Sequence, residues 1–438
     1  MGARKVVVIG SGLAGISAAA FAGRTGALPL VISKGSAATA FSSGALDICG
    51  DPCLPAPAPA EVSADVAQNI SSLLTRQPLH PYNILAGGPD GPVDAVLSLV
   101  RDAKDLLFPS NGLIQLSGGL EKNRACFTAL GTIKWSALFP TRTAWPGAEG
   151  MERPAALGID GFSDFEPAMW AKVAGEVAAR LGHKVDARTG TIGFGRGHDK
   201  QSPSVAIEIA KDPEAFIKAI KDAMSGVDNA SSVVLPPVLP AGGRDDLIRE
   251  ITDALSLPVY ELLSLPPSVP GLRLAEHLNG IAKELGADLV RAEVIGYEAE
   301  GATLKALLIN EHGAGTRVEA DAFVLATGKF LGGGIVKDRA FKELIFDLPV
   351  FIGDDAPGEI FIEKVAGLHV NERHALFEAG LRIDGALRPL GLDNKPRFKN
   401  LFAAGAIIQG YNYMVDGTGG GVAMATGARA GMNAVAIH

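Results

Sequence analysis

The chain is poor in cysteine: Cys49, Cys53 and Cys126 are the three in 438 residues. An odd, sparse set argues against a disulfide framework and for a reducing compartment. Cys49 and Cys53 lie four apart with no second pair and no nearby histidine, so no metal or iron–sulfur site is expected and the thiols read as small buried apolar residues. Positive charge is also short, with 40 basic against 48 acidic residues and a net charge of -8. Without a long basic run, neither nucleic acid nor anionic lipid has an electrostatic reason to bind. No apolar stretch approaches the ~20 residues that cross a bilayer without Gly, Pro or charge interrupting it, so a membrane role has to come through a partner. What the chain does have is 47% hydrophobic residues over a length sufficient for roughly two or three domains.

The most informative stretch is Val6 to Gly15, an all-apolar run ending in Gly10-Ser11-Gly12-Leu13-Ala14-Gly15 and followed by an alanine-rich segment of helical composition. This reads as strand, tight turn, helix. The first two glycines let the backbone turn and approach a phosphate, and the third lets helix and strand pack. The unpaired N–H groups at the helix start then face the anion. A second apolar run, Leu28 to Ile32, completes a strand–helix–strand unit. Val6 to Ala22 also has the length of a secretory apolar region, but phosphate-spaced glycines and the lack of a small-residue cleavage site after Ala22 argue against that reading.

In dinucleotide folds the end of the second strand carries an acid that accepts hydrogen bonds from the adenosine ribose. Here the residues are Ser33 and Lys34, and the acid is missing. Ser42-Ser43-Gly44 follows as a hydroxyl-rich donor platform for a phosphate or a flavin ring, with a plain polar turn as the alternative. Prolines from Leu54 to Pro59 mark an extended connection, and about Asp65 to Leu107 reads as helical, broken at His80-Pro81-Tyr82 and at Gly87 to Pro92.

Between Ala155 and Leu263 strands and helices alternate, which implies a parallel sheet with covered faces. Strands are expected at Ala155 to Ile159, His183 to Asp186, Ser232 to Val238 and Val259 to Leu263. Helices are expected at Phe165 to Leu181, Pro213 to Met224 and Asp245 to Leu255. This region lacks a second Gly-x-Gly-x-x-Gly and is assigned a capping or partner-binding role. The expected architecture is therefore α/β. A Rossmann-like, two-dinucleotide-type flavin-binding domain from residues 1–110 and 271–438 is interrupted by an inserted α/β domain at 111–270.

Towards the C-terminus, the strand ending at Thr327-Gly328 and the strand entering Gly405 are suited to close approach of a ligand. Gly419-Gly420-Gly421 opens a long helix whose positive end would face the flavin N1/C2 edge.

These residues together resemble the B subunits of anaerobic glycerol-3-phosphate dehydrogenases, within the fumarate reductase-like flavoprotein superfamily. The resemblance is carried by Gly10 to Gly15, Phe41-Ser42-Ser43-Gly44-Ala45-Leu46-Asp47, His80-Pro81-Tyr82, Leu130-Gly131-Thr132, Leu265-Pro266-Pro267-Ser268-Val269 with Gly271 and Arg273-Leu274, Val324 to Gly328, Leu387-Arg388-Pro389, Asn400 to Gly405 and Gly419-Gly420-Gly421. It implies a flavoprotein subunit working with an FAD-bearing A subunit and an iron–sulfur, membrane-docking C subunit, cytoplasmic and peripheral to the inner face of the membrane. Such a complex oxidises sn-glycerol 3-phosphate to dihydroxyacetone phosphate and sends electrons to quinone. The resemblance points to FMN as the cofactor, which the missing acid at Ser33 fits, with FAD as the alternative. For hydride transfer to the flavin, His80 is the candidate base and Lys134, Arg273, Lys329 and Arg388 are candidate ligands of the substrate phosphate. The competing readings are an electron-relay or assembly subunit and a self-standing FAD enzyme of the fumarate reductase type.

Overall fold

A computed structural model describes residues 3–50, 64–85, 87, 91–143, 153–195, 197, 200–240, 247–264, 266–311, 313–355, 357–369 and 372–437. Cys53, the Leu54 to Pro59 connection, Asp245 and Leu265 lie outside the described residues.

The strands that organise the chain are β1 (Lys5–Ile9), β2 (Leu28–Ser33), β3 (Pro154–Ile159), β4 (Arg188–Ile192), β5 (Ser232–Leu235) and β6 (Val259–Glu261). They are followed by β7 (Asp288–Arg291), β8 (Glu293–Glu300), β9 (Thr303–Glu311), β10 (Ala314–Glu319), β11 (Ala322–Leu325) and β12 (Leu401–Ala403). The longer helices are α1 (Leu13–Arg24), α2 (Val66–Arg76), α3 (Pro92–Leu107), α4 (Pro167–Arg180), α5 (Ser202–Lys211), α6 (Pro213–Met224), α7 (Leu247–Leu255), α8 (Val269–Glu284) and α9 (Gly419–Ala436).

The first sheet is parallel, in the order β7-β2-β1-β11-β12. Its apolar runs are explained by two covered faces. Val6, Val8, Val31 and Val324 point into a core shared with α1, α3 and α9. Val7, Ile9, Ile32, Phe323 and Leu325 point into a second core shared with Leu304, Leu307 and Ile309 of β9 in the antiparallel meander β8-β9-β10.

Helices α1 and α9 pack side by side and parallel. A Cβ on Gly427 would lie 2.4 Å from the Ala14 carbonyl oxygen, and one on Gly431 2.3 Å from that of Ala18. Glycine at these two helix positions is therefore a packing requirement, and the close approach offsets the helix propensity it sacrifices. Ser17 Oγ donates to the Met424 carbonyl across the same seam at 2.9 Å. Arg4 donates to the carbonyls of Val435 and Ile437 at the end of α9, which satisfies orphan acceptors and suits the helix dipole.

The second sheet is also parallel, in the order β6-β5-β3-β4, around a separate core that includes Leu157, Trp170, Phe216 and Val234. Residues His183 to Asp186, expected as a strand, form none; the strand is Arg188–Ile192. This is an edge strand paired to β3, and its Arg-Thr-Gly-Thr-Ile sequence, exposed on alternate residues, carries little apolar signal. Helix α5 was likewise not expected. The stretch between the two sheets contributes to both cores: Ile114, Leu120, Ala137 and Leu138 belong to the first, Phe127 and Ala129 to the second.

Arg273 of α8 ties the two units together. It forms a bidentate ion pair with Glu261 of β6, at 2.5 and 3.0 Å, and donates to the Leu239 carbonyl. Both side chains are buried, and Glu261 also accepts the Leu239 N–H at 2.9 Å. Among the described residues no helix is long and apolar enough to cross a membrane.

Two stability measurements probe this arrangement. Gly431→Val is expected to lower the free energy of unfolding by about 1–3 kcal/mol through overpacking of the α1–α9 seam; an unchanged denaturation midpoint would contradict the seam. Arg273→Met strands a buried carboxylate and is expected to cost about 3–5 kcal/mol, read in the same denaturant titration.

Candidate functional site

Because the strands of the first sheet are parallel, their carboxyl ends share one edge, and Gly10, Ser33, Thr327 and Ala404 all lie along it. This is the edge where open α/β sheets bind ligands. At its centre Gly10 has φ +118° and donates to the Ile32 carbonyl at 2.8 Å. A Cβ there would meet the Ala326 oxygen at 2.3 Å, and a Cβ on Gly15 would meet the Gly10 oxygen at 1.9 Å. The turn thus closes only with these glycines. Gly12 caps α1 without a side-chain bond, and the Leu13 N–H is met by Thr39 Oγ1 at 3.1 Å. Thr39 was not among the residues expected at the site; its one signal in the sequence is a hydroxyl in the Ser/Thr-rich stretch after β2.

The residues fit a flavin nucleotide's phosphates. The helix start offers N–H groups that have no intrahelical acceptor. Thr327 Oγ1, beside Gly328 with φ +72°, is buried and has no hydrogen-bond partner among the described residues. Such an atom is costly to leave unpaired, and an oxygen-rich ligand would satisfy it.

The Ser42-Ser43-Gly44 platform lies against the start of α8. Ser268 Oγ accepts the Gly271 N–H at 2.9 Å and donates to the Ser42 carbonyl. A Cβ on Gly271 would come within 2.6 Å of the Ala40 carbonyl oxygen. Ser42 Oγ is turned back onto the Thr39 carbonyl at 2.8 Å. Gly405 and Gly421 are committed to packing. A Cβ on Gly405 would meet Ala14 Cβ at 2.5 Å, and one on Gly421 would meet the Tyr82 hydroxyl at 1.9 Å. The Gly421 N–H already donates to the Asp47 carbonyl at 2.8 Å. The N–H groups of Gly419 and Gly420 have no acceptor among the described residues, so the exposed end of the α9 dipole lies at the first two glycines of the run and not at the third.

Beside the start of α9 lies a buried polar cluster that the sequence did not reveal, because its members are far apart in the chain. Asp416, fully buried, accepts from Gln77 Nε2 at 2.8 Å, from Arg373 Nη1 at 2.5 Å and from the Asn412 N–H at 2.8 Å. Arg373 also donates to Glu378 and to Gln77 Oε1. His80 is fully buried against Tyr82 and Tyr411. Its Nδ1 accepts the Tyr82 N–H at 3.1 Å, so Nε2 carries the proton and donates to Thr418 Oγ1 at 3.3 Å. Burial pushes its pKa down to about 3, aided by Arg373 and Lys329 and opposed by Asp416. Both ring nitrogens are engaged and the imidazole is neutral at working pH, which corrects the reading of His80 as a poised base.

Lys329 is the buried amine of the cluster. It donates to the carbonyls of Phe377 and Tyr411 and lies 4.9 Å from the Tyr411 ring centroid. Burial lowers its pKa to about 7, against the pull of Glu378 and Asp416. The other expected phosphate ligands are held elsewhere. Arg273 is the buried inter-sheet clamp, which corrects its assignment as a phosphate ligand. Arg388 is paired with Asp384 in its own turn at 2.7 Å. Lys134 is paired with Asp47 at 2.5 Å, where Ser136 Oγ also donates at 3.0 Å. That pair lies near α9 through the Asp47 carbonyl.

Residues 5–422 match the family described as FAD binding domain. The chain is 31% identical to a Halobacterium salinarum protein named as the probable B subunit of an anaerobic glycerol-3-phosphate dehydrogenase, covering 99% of this chain and 98% of the relative. The chain belongs to this flavoprotein family. It is also 28% identical to the B subunit of the anaerobic glycerol-3-phosphate dehydrogenase of Haemophilus influenzae, with 96% of each chain covered. Among solved structures, an open flavocytochrome c3 fumarate reductase aligns at 12% identity with a TM-score of 0.45, over 99% of this chain and 78% of that one. A fold with a glycine-closed phosphate turn on a parallel-sheet edge is what an FAD binding domain requires.

The buried histidine makes folding sensitive to acid. Below pH 6.5 the unfolded chain takes up a proton that folded His80, at about 3, does not, so the folded state loses about 1.4 kcal/mol per pH unit from this residue. His80→Asn is expected to remove that component. The stability difference between wild type and variant, measured by urea titration, should shrink as pH falls from 6.5 towards 4, and a constant difference would refute it.

Proposed function

We propose that this chain is a flavoprotein subunit of an anaerobic glycerol-3-phosphate dehydrogenase. It would act in the oxidation of sn-glycerol 3-phosphate to dihydroxyacetone phosphate, with electrons passed to quinone. The observation that carries the reading is the near full-length match to relatives bearing that name, on a chain whose sheet edge has the glycine-closed phosphate turn. The designation of those relatives as B subunits supports companion chains. We take these to be an FAD-bearing A subunit and an iron–sulfur C subunit that docks the complex at the inner face of the membrane. Residues 1–110 and 271–438 form the flavin-binding part in this reading, and the inserted sheet within 111–270 is the capping or partner-binding part.

The missing acid at Ser33 favours FMN, whereas the family favours FAD; we propose FAD. When bound, the flavin supplies the two-electron acceptor. The α1 start and Thr39 would hold its phosphates, and the Gly419-Gly420 end of α9 would stabilise negative charge on the reduced ring. Lys329 is better suited to proton transfer than to phosphate binding. Its Nζ, deprotonated above about pH 7 in a buried site, can accept the proton of the substrate hydroxyl. His80 and Tyr411 wall the same cluster.

A second reading, an electron-relay subunit that never meets substrate, is favoured by a specific observation: Arg273, Arg388 and Lys134 are all already paired with carboxylates. Anaerobic mixing of the purified flavin-loaded chain with glycerol 3-phosphate separates the two. Direct catalysis predicts bleaching of the flavin, at a rate that rises with pH through about 7 as Lys329 loses its proton, and loss of that pH limb in Lys329→Met. No bleaching by the isolated chain, with bleaching once companion subunits are added, would establish the relay.

A further inference from the structure

The segment that follows the Ser42-Ser43-Gly44 platform runs directly past the start of α9. The Asp47 carbonyl accepts the Gly421 N–H at 2.8 Å. A Cβ on Gly420 would lie 3.0 Å from the Asp47 oxygen and 3.1 Å from the Asp47 nitrogen, so the two backbones approach as closely as a glycine allows. Just beyond, the Ile48 carbonyl accepts the Tyr82 hydroxyl at 2.6 Å and the Gly50 N–H donates to the Asp416 carbonyl at 3.1 Å. Asp47 is thereby fixed next to Gly419 and Gly420, whose N–H groups have no acceptor among the described residues.

The Asp47 carboxylate accepts from Lys134 Nζ at 2.5 Å and from Ser136 Oγ at 3.0 Å. Both donors stand on the antiparallel ribbon of Arg124–Phe127 and Ile133–Ser136, where residues two apart share a face. The carboxylate side chain is 18% exposed and the lysine 32%. Asp47 is the one acceptor that the ammonium has among the described residues, which leaves its remaining protons for a ligand. A partly buried ion pair therefore stands beside a helix start whose dipole already brings positive charge to the same place.

We propose that Lys134 is the cation that offsets the negative charge of the reduced flavin ring, and that Asp47 is the positioning residue that holds it beside the start of α9. The inference rests on the reading above in which that helix start serves the ring. It holds for FMN and FAD alike, because the two share one ring system. Reduction by a hydride at N5 brings two electrons and one proton, so the neutral oxidised ring is left with one negative charge over N1 and the C2 carbonyl. No bond to the protein forms or breaks in that step. The helix start alone supplies roughly half an elementary charge, whereas the ammonium supplies a whole one, compact enough to keep Asp47 and still turn a proton towards the ring. Without Lys134, the carboxylate of Asp47 would stand uncompensated beside that charge and oppose reduction.

The test uses the full chain with the flavin that it retains, extracted and identified by mass, and measures the midpoint potential by anaerobic titration against a reference dye. Lys134→Met is expected to lower the equilibrium constant for reduction by roughly tenfold, about 30 mV downward for a two-electron couple. Asp47→Asn leaves the ammonium unopposed and is expected to shift the potential upward, while Lys134→Arg keeps the charge and stays near wild type. Opposite shifts from the two members of the pair are a signature that loss of packing would not produce, and the Asp47→Asn shift is readable even where Lys134→Met fails to fold. Bound flavin whose potential is unmoved in Asp47→Asn, or moves downward in it, overturns the inference and leaves the flavin reading standing. A wild-type chain that takes up neither FMN nor FAD overturns the flavin reading itself, and the role of Lys134 with it.

Discussion

The close, parallel packing of α1 on α9 is the constraint from which the site follows. Only glycine at 427 and 431 lets the α9 backbone lie against the carbonyls of Ala14 and Ala18. With the two helices in that register, both N-termini point to the same edge of the sheet. Gly427 sits beside the first turn of α1, so α9 begins about 12 Å before that point at 1.5 Å per residue. One helix start can then serve a phosphate and the other a ring edge further along the same extended ligand. The two helix dipoles are positioned by glycine and apolar contacts together with the Ser17–Met424 hydrogen bond and the Arg4 contacts at the end of α9.

Charge is placed by a different rule. The cluster of Gln77, His80, Lys329, Arg373, Glu378, Asp416 and Thr418 lies beside the α9 start, and Asp416 accepts from three separate parts of the chain. Burial there acts in opposite senses on function. It holds His80 neutral and chemically quiet, and it brings Lys329 to a pKa at which a proton can be exchanged near neutrality. The same desolvation that makes the cluster costly to build lowers the pKa of the lysine, and the carboxylates of Glu378 and Asp416 oppose it.

The second sheet is joined to the first by a buried charge pair as well as by chain connections. Arg273 and Glu261 sit in the two different units, and neither can be removed without stranding the other. Cys126 is buried, as the sparse cysteine content suggests, and burial pushes its thiol up to about 12.

The sequence by itself determined the parallel sheet, the phosphate turn and the two helix starts. These depend on local rules: unbroken apolar runs for strands covered on both faces, glycines at fixed offsets where a backbone must turn, and a glycine run opening a long helix. It also determined the family, because matching segments run along nearly the whole chain. It did not reveal the edge strand Arg188–Ile192, whose exposed threonines give no apolar pattern, nor that Arg273 is consumed by Glu261. A lone arginine reads the same whether it awaits a phosphate or is already paired. Only the tertiary structure decided the surroundings of His80 and Lys329. Burial and the carbonyls facing an ammonium are set by residues far away in the chain, and pKa and hydrogen-bonding capacity belong to that surrounding and not to the residue type.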